Sequence, residues 1–175
     1  KSHTFGGLNE IDYTVSYSID VRDFSLEVGH VWYTFPKANG SDYFGSTHEV
    51  FGSVAYNNEI VTPSVSVSYD CGAVDGFYGN VALNKEVEVA DRLTLGMDVS
   101  LGAGDSDYLD YYFGESSSGL MDFTVDVYAS YALTDNVSIG AKLAWTSLID
   151  SGARDNEVYW DEDILWGGIN LAASF

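Results

Sequence analysis

At 175 residues the chain has the length of one domain, and its single cysteine, Cys71, excludes a disulfide framework and a thiolate metal cluster. Its 27 Asp and Glu against 7 Lys and Arg give a formal charge of −20, a field that repels nucleic acid and excludes it as a partner. Disorder is excluded by 46% hydrophobic and 15% aromatic residues, and helical membrane spans by the lack of any apolar run near ~18 residues. Two prolines and 18 glycines fit a sheet protein built from tight turns. The chain starts at Lys1 without Met or signal peptide, which reads as a mature or truncated form.

The first strand is expected over Glu10 to Val21. Ile11, Tyr13, Val15, Tyr17, Ile19 and Val21 take one face; Asp12, Thr14, Ser16, Ser18 and Asp20 take the other. After the two-residue turn Arg22-Asp23, the residues Phe24, Leu26, Val28 and Trp32 continue the apolar face. Pro36 to Ser46, with Asn39-Gly40, reads as a longer loop. A third strand, about Thr47 to Tyr56, turns through Asn57 to Ile60 into a fourth, Val61 to Tyr69, with Pro63 tolerable only at its beginning. Asp70 to Gly76 is a loop.

Phe77 to Val89 and Leu93 to Ala103 flank the turn Ala90-Asp91-Arg92, and Asp105 to Gly119 is the next long loop. Phe123 to Leu133 and Val137 to Ser147 form the cleanest hairpin, joined by Thr134-Asp135-Asn136. Leu148 to Asp163 is the last long loop. The terminal strand runs to Phe175. Counting back, Ala173, Leu171, Ile169, Gly167 and Leu165 share its parity; Ser174, Ala172, Asn170 and Gly168 lie opposite.

Nine strands emerge, with short connections falling strictly at one end and long loops at the other. That pattern is expected of an all-β, antiparallel up-and-down transmembrane β-barrel of the bacterial outer membrane, apolar outside and polar within. A soluble β-sandwich alternates too, but gives no reason for all short turns to share one end. A lipocalin-like barrel would place its apolar side chains inside.

If Phe175 ends in the periplasm, nine strands place the start of the first at the extracellular end. Bacterial barrels have even strand numbers, so one or three further strands are expected upstream, giving ten or twelve in the full barrel. On this reading residues 1–175 form a single barrel domain lacking its N-terminal strands, Glu10–Val21 does not pair with Leu165–Phe175, and His3 to Gly7 lie in an extracellular loop.

The stretches Asn9-Glu-Ile-Asp-Tyr-Thr-Val-Ser-Tyr17, His48-Glu-Val-Phe-Gly52 and Thr62-Pro-Ser-Val-Ser-Val-Ser-Tyr-Asp70, with the terminal-Phe last strand, carry a resemblance. Together they resemble a family of uncharacterised bacterial outer-membrane β-barrel proteins of about twelve strands. The resemblance implies missing N-terminal strands and carries over no catalytic residue.

The polar parity gathers acids, among them Asp12, Glu27, Asp98 and Asp126, against the single inward base Lys142. Pairing about the Thr134–Asn136 turn sets Lys142 opposite Tyr128 and diagonal to Asp126, within salt-bridge reach. Two readings follow. One is a structural barrel plugged by hydrogen-bonded charges; the other is a narrow cation-preferring pore lined by Asp12, Glu27, Asp98, Asp126 and Lys142.

Ser46 and His48 share a face, with Asp42 nearby. This spacing resembles the dyad of outer-membrane lipid A deacylases, so a lipid-modifying enzyme is the alternative. The bland reading, a loop-edge serine and an interfacial histidine, is preferred, and no catalytic residue, cofactor or metal site is expected. Acids also crowd the long loops, where divalent cations would bridge them to lipopolysaccharide. The expected partners are the lipid bilayer, lipopolysaccharide and other envelope proteins, including a larger outer-membrane assembly in which the barrel docks.

Overall fold

Period-two alternation makes a strand of each stretch above, and the strands pair in sequence order. The computed structural model describes residues 10–35, 46–114, 117–150, 154 and 162–174. Its strands are β1 (Ile11–Val21), β2 (Phe24–Thr34), β3 (Thr47–Tyr56), β4 (Thr62–Asp70) and β5 (Gly76–Ala90). They continue with β6 (Leu93–Gly104), β7 (Gly119–Ala132), β8 (Val137–Leu148) and β9 (Asp163–Ala173). All nine form one antiparallel sheet in the order β1 to β9, curled into a half-barrel. No ladder joins β1 to β9 among the described residues.

The differences from expectation are local. β5 and β6 meet across two residues, Asp91-Arg92, because the pairing continues past a register shift between Glu88 and Ala90. A second shift, at Gly102/Ala103, lets β7 begin at Gly119 and pair back to Gly104. Arg22 and Arg92, with φ of 57° and 67°, take the left-handed conformation that matches a tight turn to the twist of its strands. The strand bounds place Phe175 and His3 to Gly7 outside the described residues.

Every ladder keeps the expected parity, so the sheet has one apolar and one polar face. Apolar side chains on interior strands stand in the open: Val65, Leu83 and Leu143 are each about half exposed, at 52%, 52% and 51%. A contiguous exposed apolar face of this extent is uncommon on soluble monomers. Aromatic residues bracket it. Tyr13 and Trp32, Tyr69 and Phe77, and Phe123 and Trp145 stand toward the long-loop end, and Phe24, Tyr56 and Tyr131 toward the short-turn end. From Phe24 to Trp32 the chain advances ~27 Å at ~3.4 Å per residue. Strand tilt brings that near the ~25 Å apolar band between the aromatic girdles of an outer-membrane barrel.

One element was not expected. Within the long loop after β6, Ser106–Phe113 form a helix, α1. Asp105 caps it, accepting the Tyr108 N–H, and Gly114 ends it at φ 71°. The helix packs on β5 and β6 over Gly76 and Gly104, where a Cβ would meet Tyr108 or Leu109. Leu109, Phe113 and Leu148 form a small buried cluster with Tyr112 and Met121. This core sits on the polar side of the sheet, at the long-loop end. The helix therefore lies in the mouth of the barrel.

Candidate functional site

On the inner face, β6, β7 and β8 bring three charges together. Asp98 and Asp126 are direct cross-strand partners, and Lys142, opposite Tyr128, reaches diagonally to Asp126 at 3.3 Å. The Lys142 ammonium also stands 4.3 Å from the centroid of the Trp166 ring on β9, so an aromatic face and a carboxylate hold it from two sides. The pairing expected from the Thr134–Asn136 turn is the one found.

Asp12 and Glu27 share this inner face but not this cluster. Asp12 lies across from Tyr33, and Glu27 stands between Ser18 and Ser53, four or more ladders away from Asp98. The five residues therefore form one cluster of three and two separate positions along the wall.

Around the cluster the wall is built from tyrosine and acid. Tyr128 donates to Glu86 Oε1 at 2.7 Å and accepts from Asn84 Nδ2 at 2.8 Å. The phenol end of its ring covers Gly96, a position where any Cβ would collide with it. Tyr78 donates to Asp122 Oδ2 at 3.0 Å, and Tyr33 donates to Glu49 Oε2 at 3.2 Å. Toward the mouth, Tyr33, Glu49, Ser66, Ser68, Tyr78 and Tyr108 border a recess of about 370 Å³. Burial, then the neighbouring Tyr112 and Glu49, raise the Tyr108 hydroxyl above its usual range, so it stays neutral.

The acids assigned to the loops divide. Asp70 is the last residue of β4 and 1% exposed. Its carboxylate accepts from the Thr47 hydroxyl and from the N–H groups of Gly72, Ala73 and Val74, pinning the turn that follows. Asp105 caps α1 and also accepts from the Phe77 N–H at 3.0 Å. These carboxylates serve the backbone. Asp42 lies outside the described residues.

His48 is held differently from the dyad spacing. Its Nδ1 faces His30 Nε2 at 3.0 Å and Cys71 Sγ at 3.2 Å. Spacing along the chain gave His30 no partner and left Cys71 alone; the ladders of β2, β3 and β4 bring both to His48. The legible signal was two histidines on the apolar parity of adjacent strands.

Nine antiparallel strands with an exposed apolar side, aromatic girdles, an acidic polar inner wall and short turns at one end define an outer-membrane β-barrel protein. Comparison narrows the class. Residues 4–156 match the family described as MltA-interacting protein MipA, and the chain belongs to that family. Its members are outer-membrane proteins of Gram-negative bacteria, and so is this chain. The match ends before β9. No curated protein matches the chain.

Proposed function

We propose that the sheet forms the wall of a narrow, acid-lined path across the outer membrane that prefers cations. The observation that carries this reading is the direct opposition of Asp98 and Asp126 with one lysine between them and their surroundings. Two carboxylates and one ammonium leave a net negative charge at the centre of the wall, and Asp12 and Glu27 extend it. Acidic rings favour cations over anions in a confined path. The reading gives the protein no catalytic role and no cofactor. Its apolar face meets the bilayer, and its acidic loops meet lipopolysaccharide through bridging divalent cations.

The experiment is conductance in a planar bilayer. The intact protein should pass cations in preference to anions, and Asp98→Asn with Asp126→Asn should move the reversal potential toward zero. A silent bilayer, or unchanged selectivity in the double variant, rejects the pore.

The second reading is a filled, structural barrel that docks other envelope proteins. It is favoured by the same wall: Lys142 is drawn onto Asp126, Tyr128 covers Gly96, and α1 stands in the mouth. The family description names an interaction with MltA. For this chain the docking surface would be the short-turn end. Retention of a purified MltA-type partner by the silent barrel distinguishes this reading from the first.

A further inference from the structure

Three potential donors converge on the outer face near the long-loop end of β2, β3 and β4. His30 Nε2 stands 3.0 Å from His48 Nδ1, and Cys71 Sγ stands 3.2 Å from the same nitrogen. One donor atom from each residue lies within 4.8 Å of the other two, and all three residues are half-buried. The group sits on the apolar parity, beside Trp32, whose ring meets His30 edge-on at 3.8 Å between centroids.

Hydrogen bonds already couple the three groups, and Cys71 Sγ also stands 3.4 Å from the His48 carbonyl. In its neutral form His48 Nδ1 is either one donor or one acceptor, so it serves His30 or Cys71 at any moment, and the His48 carbonyl takes the thiol when the ring nitrogen serves His30. A cation at the common focus would be met by all three groups at once, because each can present a lone pair to it.

The positions are also held in advance. The Cys71 N–H donates to the His48 carbonyl at 3.0 Å. The next three amides are fixed by Asp70, and Ala73 N–H by Thr47 Oγ1 as well. Gly72 carries no side chain at a point where a Cβ would press on Thr47 and His48. Cys71 is thus tied to the strand that carries His48, in the way outer-shell bonds orient metal ligands.

We propose that His30, His48 and Cys71 bind one d-block cation of the Zn2+ class at the extracellular rim of the barrel. Two imidazoles and a thiolate are borderline-to-soft donors and discriminate against Ca2+ and Mg2+, which take oxygen ligands. Three protein ligands leave a fourth tetrahedral position for water or a ligand from outside. Binding releases the Cys71 thiol proton to water, the imidazoles stay neutral, and no electron is transferred. The site is independent of the acid-lined wall, which occupies the opposite face of the sheet.

The test is titration of the intact protein in detergent micelles with Co2+ as an optical probe, followed by Zn2+. One equivalent of Co2+ should produce a thiolate-to-cobalt charge-transfer band, and Zn2+ should abolish it. Cys71→Ser should lose the band. His30→Gln and His48→Gln should weaken affinity by more than the ~10–100-fold that loss of an outer-shell partner costs. Should Cys71→Ser fail to fold, the unaltered chain decides: Zn2+ should slow alkylation of Cys71 by a maleimide. Co2+ uptake without a thiolate band, a band retained in Cys71→Ser, or alkylation indifferent to Zn2+ overturns the proposal.

Discussion

Asp126 faces Asp98 directly across the β6–β7 ladder and takes the Lys142 ammonium on Oδ2, while its other oxygen, Oδ1, is buried without a hydrogen-bond partner among the described residues. Like charges opposed across a ladder repel. Lys142 is 39% exposed and Asp126 16%, so the pair sits between a surface and a buried ion pair. Its own attraction contributes no more than ~1 kcal/mol. What the lysine chiefly does is compensate a carboxylate that has lost most of its water.

Replacing Lys142 by Met therefore destabilises the barrel by about 1–3 kcal/mol, the cost of leaving a covered charge unsatisfied. Adding Asp98→Asn to that variant should recover part of the loss, because the repulsion disappears with the second charge. Urea unfolding in lipid vesicles measures both. Equal stability of the single and double variants would show that Asp98 and Asp126 are not coupled.

Val99 and Ser66 test the two faces. Val99→Arg puts a cation on the lipid side and should cost roughly 2–4 kcal/mol if it lies near the midplane. Ser66→Arg enters the recess beneath Tyr78 and Tyr108 and should cost less. The same unfolding assay reads the difference. A reversed order would turn the sheet inside out.

Gly96→Ala tests how the inner wall is packed. Its methyl group would occupy the place of the Tyr128 ring, which must lift and give up Glu86 and Asn84. Overpacking of this kind costs about 1–3 kcal/mol. Tyr128→Ala in the same chain should make the second methyl nearly free. If Gly96→Ala alone is neutral, the ring does not rest there.

Asp105→Ala removes the cap of α1 and the acceptor of the Phe77 N–H. A lost cap costs about 1 kcal/mol, and the segment around Ser106–Phe113 should become cleavable by added protease while the strands stay protected. Protection unchanged from the parent would mean that Leu109 and Phe113 hold the helix without its cap.

The strands and their inner and outer faces were legible because barrel strands are read at period two, and one parity error would have reversed every side chain. The Lys142–Asp126 diagonal followed from one short turn. α1 was not read as a helix, although Asp105 and Gly114 are cap residues at suitable positions. Its apolar stripe, Leu109, Tyr112 and Phe113, spans barely one turn, and its burial depends on Leu148 from a distant strand. The aromatic girdles were visible as residues but acquire meaning only when the registers line them up. His30 and Cys71 were out of reach of spacing, since two ladders, β2 with β3 and β3 with β4, are needed to bring them to His48.

Among the described residues, each strand of this sheet bonds only to its neighbours in sequence. Linking partners close along the chain costs little configurational freedom, and that cost grows only slowly with the length of the connection. The wall can accordingly assemble as a succession of hairpins, each templating the next, with no strand waiting for a remote counterpart. The outer borders of β1 and β9 are the exception. Their backbone groups demand partners once inside hydrocarbon, so satisfying those two borders is the step that commits the assembled sheet to the membrane.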